Sequence, residues 1–288
     1  MASMDKAASS ERRRALAFVL PTILWTLAFF GLPFAFMVVM SLWQRIGTKI
    51  VATWTLDNYF SFFEKPHFVA GMVNSLEITL TVTVISVLLA YPLAWIIAER
   101  VPERWQRMAL ILAILPFWTS YVVRSYAWVL VLARNGIVNQ ALLGIGLVDE
   151  PLELASSRSA TIIGFVHFFV MLLTLTIYAN LRQLSPNYAR AAADLGANGL
   201  QTFIYVILPL TVPGIMVGAF LTFVLCIGDY ITPQILGGNN ELVMPQIIML
   251  QIGRRADFPT ASALSILLMV VVTIVYVICA RWLKLERA

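Results

Sequence analysis

Charge is what this sequence has least of. Only 12% of its 288 residues are Asp, Glu, Lys or Arg, against roughly 25% in soluble domains. Hydrophobic residues make up 60%, and mean hydropathy is +0.85. That balance places the chain in a membrane, where it must be mostly helical, because hydrocarbon offers no solvent for unpaired backbone groups. Cysteine is nearly absent: Cys226 and Cys279 both fall in apolar runs and read as small hydrophobes, without a disulfide or metal role. His67 and His167 are the only histidines, and they lie far apart with no carboxylate cluster beside them, which argues against a metal site or a hydrolase. The dipeptide Gly-Lys never occurs, so there is no P-loop to cradle a nucleotide phosphate. Internal repeats and low-complexity tracts are lacking too. No segment between the apolar runs is long enough for a soluble domain, so chemistry that needs a large folded site belongs to partners.

What is there is a series of apolar runs. Residues Ala15 to Gln44 carry no charge, too long a run for a signal-peptide core, and read as an uncleaved first span. The spacing predicts six spans, at about 15–43, 73–98, 108–133, 159–181, 211–228 and 258–281. They form one six-span transmembrane domain over 15–282, between an N-terminal segment 1–14 and a tail 283–288. Six crossings put both termini on one side. With that side taken as the cytoplasm, twelve of the twenty Lys and Arg fall on its short segments, including Arg12, Arg13 and Arg14. The positive-inside rule therefore places both ends in the cytoplasm and assigns the pI of about 9.4 to orientation rather than to nucleic acid.

The stretch from Gln183 to Gly214, QLSPNYARAAADLGANGLQTFIYVILPLTVPG, is neither apolar enough for a span nor as short as a turn. Ser185 can cap a helix beginning at Pro186, the alanine-rich ARAAADL sustains it, and Gly196 suits the left-handed residue that ends it. Asn198 can cap a second short helix ending at Leu208-Pro209. The result is a helix–turn–helix elbow over 185–208, on the cytoplasmic side.

At these residues the chain resembles the permeases of binding-protein-dependent ABC importers. Their loop motif runs Glu-Ala-Ala, three residues, Gly, nine residues, Ile, one residue, Leu-Pro. Ala191, Ala192, Gly196 and Leu208-Pro209 match it, Val206 stands for the isoleucine, and Arg190 reverses the charge of the glutamate. The resemblance implies an all-α type I importer fold whose elbow docks into a cytoplasmic ATPase dimer. Ser185, Tyr188, Arg190, Ala191, Ala192, Asp194 and Gly196 would then be the coupling residues. It also implies a second permease subunit, a periplasmic solute-binding protein, and a bacterial inner-membrane location. The chain itself would hold no cofactor, ATP and Mg belonging to the ATPase.

Ionisable residues at membrane depth are functional suspects, and three qualify: Glu77, Arg124 and Asp229. In LPFWTSYVVRSYAWVLVLAR, Pro116 can kink the third span, and Trp118, Tyr121, Ser125 and Trp128 then share a helix face beside Arg124. Two readings stand. Arg124 is neutralised by Asp229 or Glu77 as a packing pair, or the group lines a polar, aromatic pathway in which rings hold a cation. Asp229 and Tyr230 end the fifth run, and Gly214 and Gly218 form a small-residue step for close helix contact. The crowded TLDNYFSFF reads as an interfacial aromatic belt, or else as a docking surface for an external receptor. The patterns around Trp118 and Asp229 are similar to the spermidine/putrescine branch of the same permeases, in which these spans line the path. That similarity nominates Trp118, Tyr121, Arg124, Ser125, Trp128, Asp229 and Tyr230. A ferric or oxyanion cargo on the same architecture is the alternative. A self-sufficient secondary transporter would need repeated halves or a buried acidic cluster, and a membrane enzyme would need gathered His, Asp or Glu.

Overall fold

The computed structural model describes residues 18–238 and 241–283; the N-terminal segment 1–14 with its three arginines, and the tail beyond Leu283, lie outside them. Among the described residues five helices are long and apolar enough to cross a membrane, six if one sharply bent pair counts as a single span. By chain contacts they fall into two compact units.

The first unit comprises 18–64 and Leu250–Leu267. Helix α1 (Phe18–Ser41) presents almost its whole surface outward, with only 6% of its apolar window buried. A two-stranded hairpin follows, β1 (Gln44–Ile46) against β2 (Lys49–Val51), turning at Gly47 with φ +64. Helix α2 (Asp57–Glu64) is tied down by one buried residue. Asn58 Nδ2 donates to the carbonyls of Ser41 (2.8 Å) and Trp43 (2.6 Å), while Tyr59 and Ser41 hydroxyls meet at 2.7 Å. These bonds satisfy carbonyls that the end of α1 leaves open. Phe62 is buried beneath α2, whereas Trp54, Phe60 and Phe63 stay exposed.

The second unit, Lys65–Met249 with residues 268–283, is built on three long helices. These are α3 (Pro66–Arg100), α7 (Arg158–Gln183) and α9 (Gly199–Ile227). Apolar burial gives no net drive between helices already in lipid, so contact depends on fit and small residues. Ala90, Ala94 and Ala98 of α3 accordingly lie against Leu173, Ile177 and Leu181 of α7. Gly214 and Gly218 bring α9 onto the same helix: a Cβ built on Gly214 would sit 2.3 Å from Asn180 Nδ2, and one on Gly218 2.8 Å from Leu173. The small-residue step is thus used within the chain. Tyr91 and Thr211 hydroxyls bridge α3 and α9 at 3.1 Å. His67 belongs to the first turn of α3.

Two expectations need correction. The third apolar run is not one kinked helix: α4 (Glu103–Trp118) and α5 (Tyr121–Leu132) are separated at Thr119-Ser120, and the helical stretch Tyr121–Gly144 that α5 begins is bent by 88° from α4. Pro116 opens a tighter 3₁₀ turn over Leu115–Trp118, and Thr119 then goes extended (ψ 148), so the hydrogen-bond ladder stops there. The elbow's second helix, in turn, does not end at Leu208-Pro209. It runs into the fifth apolar run as α9, beginning at Gly199 rather than near Thr211. Pro209 is accommodated because the preceding turn, Phe203–Ile207, is a π turn, its wider loop closed by Leu208 N–H on the Phe203 carbonyl.

The remaining elements are short: α6 (Ile137–Gly144), α8 (Asn187–Asp194), α10 (Ile231–Leu236) and α11 (Met244–Gly253), then the long α12 (Phe258–Leu283). Cys226 is buried in α9 and Cys279 half-buried in α12, both free thiols.

The α7–α9 contact generates a test. Gly214→Leu should cost about 1–3 kcal/mol through overpacking against Asn180, read as a lower Tm of the purified chain in detergent. Adding Asn180→Ala should recover part of the loss; an unchanged Tm in the single variant would contradict the contact.

Candidate functional site

The elbow is built by local chemistry. Ser185 Oγ accepts from Asn187 N–H (3.3 Å), closing the start of α8. At its end Gly196 takes φ +84, its N–H bonding the Ala193 carbonyl (2.9 Å) while Ala197 N–H reaches Ala192 (3.0 Å). A Cβ at Gly196 would meet nothing within 4 Å, so the requirement for glycine is conformational and not steric. Asn198 and Gln201 then cap each other reciprocally, both bonds at 2.9 Å, and start α9. Ala192 is buried, while Ser185, Tyr188, Arg190, Ala191 and Asp194 are exposed. Leu195, Leu200 and Tyr205 are exposed as well, which leaves the elbow with a largely apolar outer surface. Beneath it lies a cavity of about 460 Å³, whose wall includes Glu99, Arg182, Tyr188 and Arg190.

The pathway candidates divide into those the fold gathers and those it does not. Tyr121 begins α5, and Asp229 sits in the break between α9 and α10. The Tyr121 hydroxyl donates to the Asp229 carboxylate and meets the Thr232 hydroxyl. Thr232 Oγ1 also donates to Asp229 (2.8 Å), and the Ile231 N–H bonds its other oxygen (2.8 Å). Asp229 thus caps α10 and clasps α5 to it. Behind it the space shrinks to about 10 Å³, closed to any organic solute.

Arg124 is buried but does not pair with Asp229 or Glu77, contrary to the pairing its charge suggested. Its guanidinium lies over the rings of Phe168 (5.0 Å) and Tyr121 (5.6 Å), and Nη1 donates to the Pro116 carbonyl (3.2 Å). The break after Trp118 makes that carbonyl available, which is why a helix-based reading missed it. Glu77 is taken by Arg158 at 2.6 Å, with Glu241 at 4.0 Å from the same guanidinium. Trp118, on the far side of the break, is 84% exposed and leaves the expected stripe. Ser125 spends its hydroxyl on the Tyr121 carbonyl (3.1 Å). Trp128 Nε1 donates to His167 Nδ1 (3.1 Å), and Tyr230 remains partly exposed.

Two residues of this cluster were not singled out by sequence reasoning. Thr232 could have been found from D-Y-I-T-P, an acid placed to cap a helix that carries a proline near its start. Phe168 could have been suspected from the run His167-Phe168-Phe169 within an apolar span; its ring stacks on Phe117 at 5.2 Å and meets Tyr121 edge-on at the same distance. Among the described residues no group of His, Cys, Asp and Glu could hold a metal ion. The arrangement gathers a carboxylate, hydroxyls and ring faces, each engaged with the others.

Comparison with known proteins gives a consistent answer. The family described as the inner membrane component of binding-protein-dependent transport systems matches residues 8–285. The spermidine/putrescine transport system permease protein PotB of Salmonella typhimurium is 33% identical over 258 residues, 89% of each chain. Its Escherichia coli counterpart is 32% identical over 89% of this chain and 93% of its own. The Escherichia coli inner membrane ABC transporter permease protein YdcU is 30% identical over 88% and 85%. In fold, the chain superposes on a chain of the crystal structure of a bacterial ABC transporter that imports the polysaccharide alginate, with a TM-score of 0.77 at 19% identity over 98% and 100% of the two chains. With helices that span a membrane and a family match over nearly its whole length, the chain belongs to the inner membrane permease components of binding-protein-dependent ABC transport systems.

Proposed function

We propose that this permease forms, with a second permease subunit, the path for a polyamine such as spermidine or putrescine, or for a related small organic cation. An external binding protein would deliver the solute, and a cytoplasmic ATPase dimer, docked on the elbow 185–208, would drive its passage. Both termini lie in the cytoplasm in this reading. The observation that carries it is the clasp of Tyr121, Asp229 and Thr232, at the point where two helices break side by side. Breaks in membrane helices expose backbone and polar groups where solutes are handled, and a carboxylate beside the Tyr121 phenol suits an ammonium group. The PotB relatives support the choice of cargo class. Arg124 favours a second reading, in which the cargo also carries a carboxylate: among the described residues no acid pairs with this buried cation. The wide outer surface of α1, and the exposed Trp54, Phe60 and Phe63, are free to meet lipid, the second subunit or the binding protein.

In this scheme the elbow carries the power stroke. Closure of the ATPase pair moves α8 and the start of α9 together, opens the clasp, and admits the solute.

Asp229→Asn should lower uptake of labelled spermidine by about tenfold or more, the weight of a charge-assisted contact, while the complex still co-purifies with its ATPase. A complex that no longer assembles would assign Asp229 to packing instead. Gly196→Val forces a β-branched residue into the left-handed region at a cost of about 1–3 kcal/mol; ATP hydrolysis should persist while uptake falls. Normal coupling in that variant would count against the elbow as the transmitting element.

A further inference from the structure

A second cavity, of about 460 Å³, opens between the last turns of α3 and the first turns of α9, and no part of the transport scheme uses it. Both walls are distorted in the same way: Ile96–Arg100 and Phe203–Ile207 are each a π turn, which adds a residue to the turn and displaces side chains outward. Tyr91 and Trp95 meet Phe203 edge-on, at 5.8 and 5.7 Å, and Leu200 extends the apolar wall. The lining is almost wholly apolar, so water is a poor occupant, and the volume falls within the range of about 300–1,000 Å³ typical of ligand sites.

The one charged group lining this cavity is a donor, Arg100. Arg100 lies over the Trp95 ring with Cζ at 5.4 Å from its centroid, and no acid pairs with it among the described residues. An occupant that meets all of this has an apolar body and an anionic head rich in acceptor oxygens. The elbow side of a membrane helix bundle supplies one such molecule at high local concentration.

We propose that this cavity binds an anionic phospholipid, its acyl chain lying along Tyr91, Trp95, Leu200 and Phe203 and its phosphate accepting from Arg100. Because Gly199 and Leu200 belong to the elbow, lipid occupancy stiffens the joint between α8 and α9. The inference rests on the reading that the elbow faces the cytoplasm, where anionic headgroups gather beside basic segments.

The test uses the assembled transporter in nanodiscs of phosphatidylcholine alone or mixed with phosphatidylglycerol. Lipid retained by this chain after mild release is read by native mass spectrometry. Arg100→Gln should lower retained phosphatidylglycerol about fivefold, the weight of one basic side chain at an anionic surface, and leave phosphatidylcholine unchanged. Arg182→Gln removes the same charge from the neighbouring cavity and should have no such effect. Phosphatidylglycerol with brominated chains should quench wild-type tryptophan fluorescence more than that of Trp95→Phe. Equal retention in wild type and Arg100→Gln, equal losses in the two arginine variants, or identical quenching in wild type and Trp95→Phe would each overturn the site. So would protection of Trp95 by the ATPase with displacement of lipid, which would make the occupant a protein. Retention is read without ATP hydrolysis, so failure here is distinct from normal coupling in Gly196→Val.

Discussion

Every backbone N–H and C=O inside a bilayer must find a partner within the protein, and the irregular parts of this permease follow from how that demand is met. Where the chain stays helical, the demand is met automatically and the sequence is free to be monotonously apolar. Where it leaves the helix, particular side chains or altered turns take over. The carbonyl of Pro116, at the end of the 3₁₀ turn, accepts from Thr119 N–H and Oγ1 and from Arg124. The amides that open α10 are received by Asp229. Around Pro209 the ladder is not broken but widened by one residue. Each departure from regular helix therefore carries its own compensation, and the polar residues expected to serve a solute are largely the same ones that supply it.

This double use explains the mixed fate of the charged residues. Arg124, Glu77 and Asp229 look alike as sequence, each a lone ionisable group near an apolar run. In the fold Glu77 joins Arg158 at a surface where both side chains remain partly exposed, a contact of small energetic weight. Arg124 lies over two rings that meet each other edge-on, contacts for which a planar guanidinium is better suited than a lysine. Asp229 spends its oxygens on a tyrosine, a threonine and two amides.

What could be read from the sequence was what local chemistry decides. Ser185, Gly196 and Asn198 terminate or begin helices through bonds spanning two to five residues, so their roles are visible in a short window. Gly214 and Gly218 announce close packing by their spacing alone, although Asn180 as the facing residue could not be read from it. The contact of Tyr121 with Asp229 spans 108 residues and exists only because α4 and α5 part at a steep angle; no periodicity encodes that angle. The stripe through Trp118 failed for the same reason, since it assumed one continuous helical screw across Thr119-Ser120. The end assigned at Leu208-Pro209 failed because proline's usual effect on a helix was absorbed by a turn type that leaves little trace in composition.

The unbroken run of α9 links these matters. Twenty-nine residues at about 1.5 Å each make a shaft of roughly 40 Å, with the reciprocal cap of Asn198 at one end and the Gly228–Tyr230 break at the other. Between those ends it is held along its middle, by Gly214 and Gly218 against α7 and by Thr211 to Tyr91 of α3. The two ends of this shaft thus tie the elbow and the Asp229 clasp to one rigid element, with the widened turn at Phe203–Ile207 lying between them.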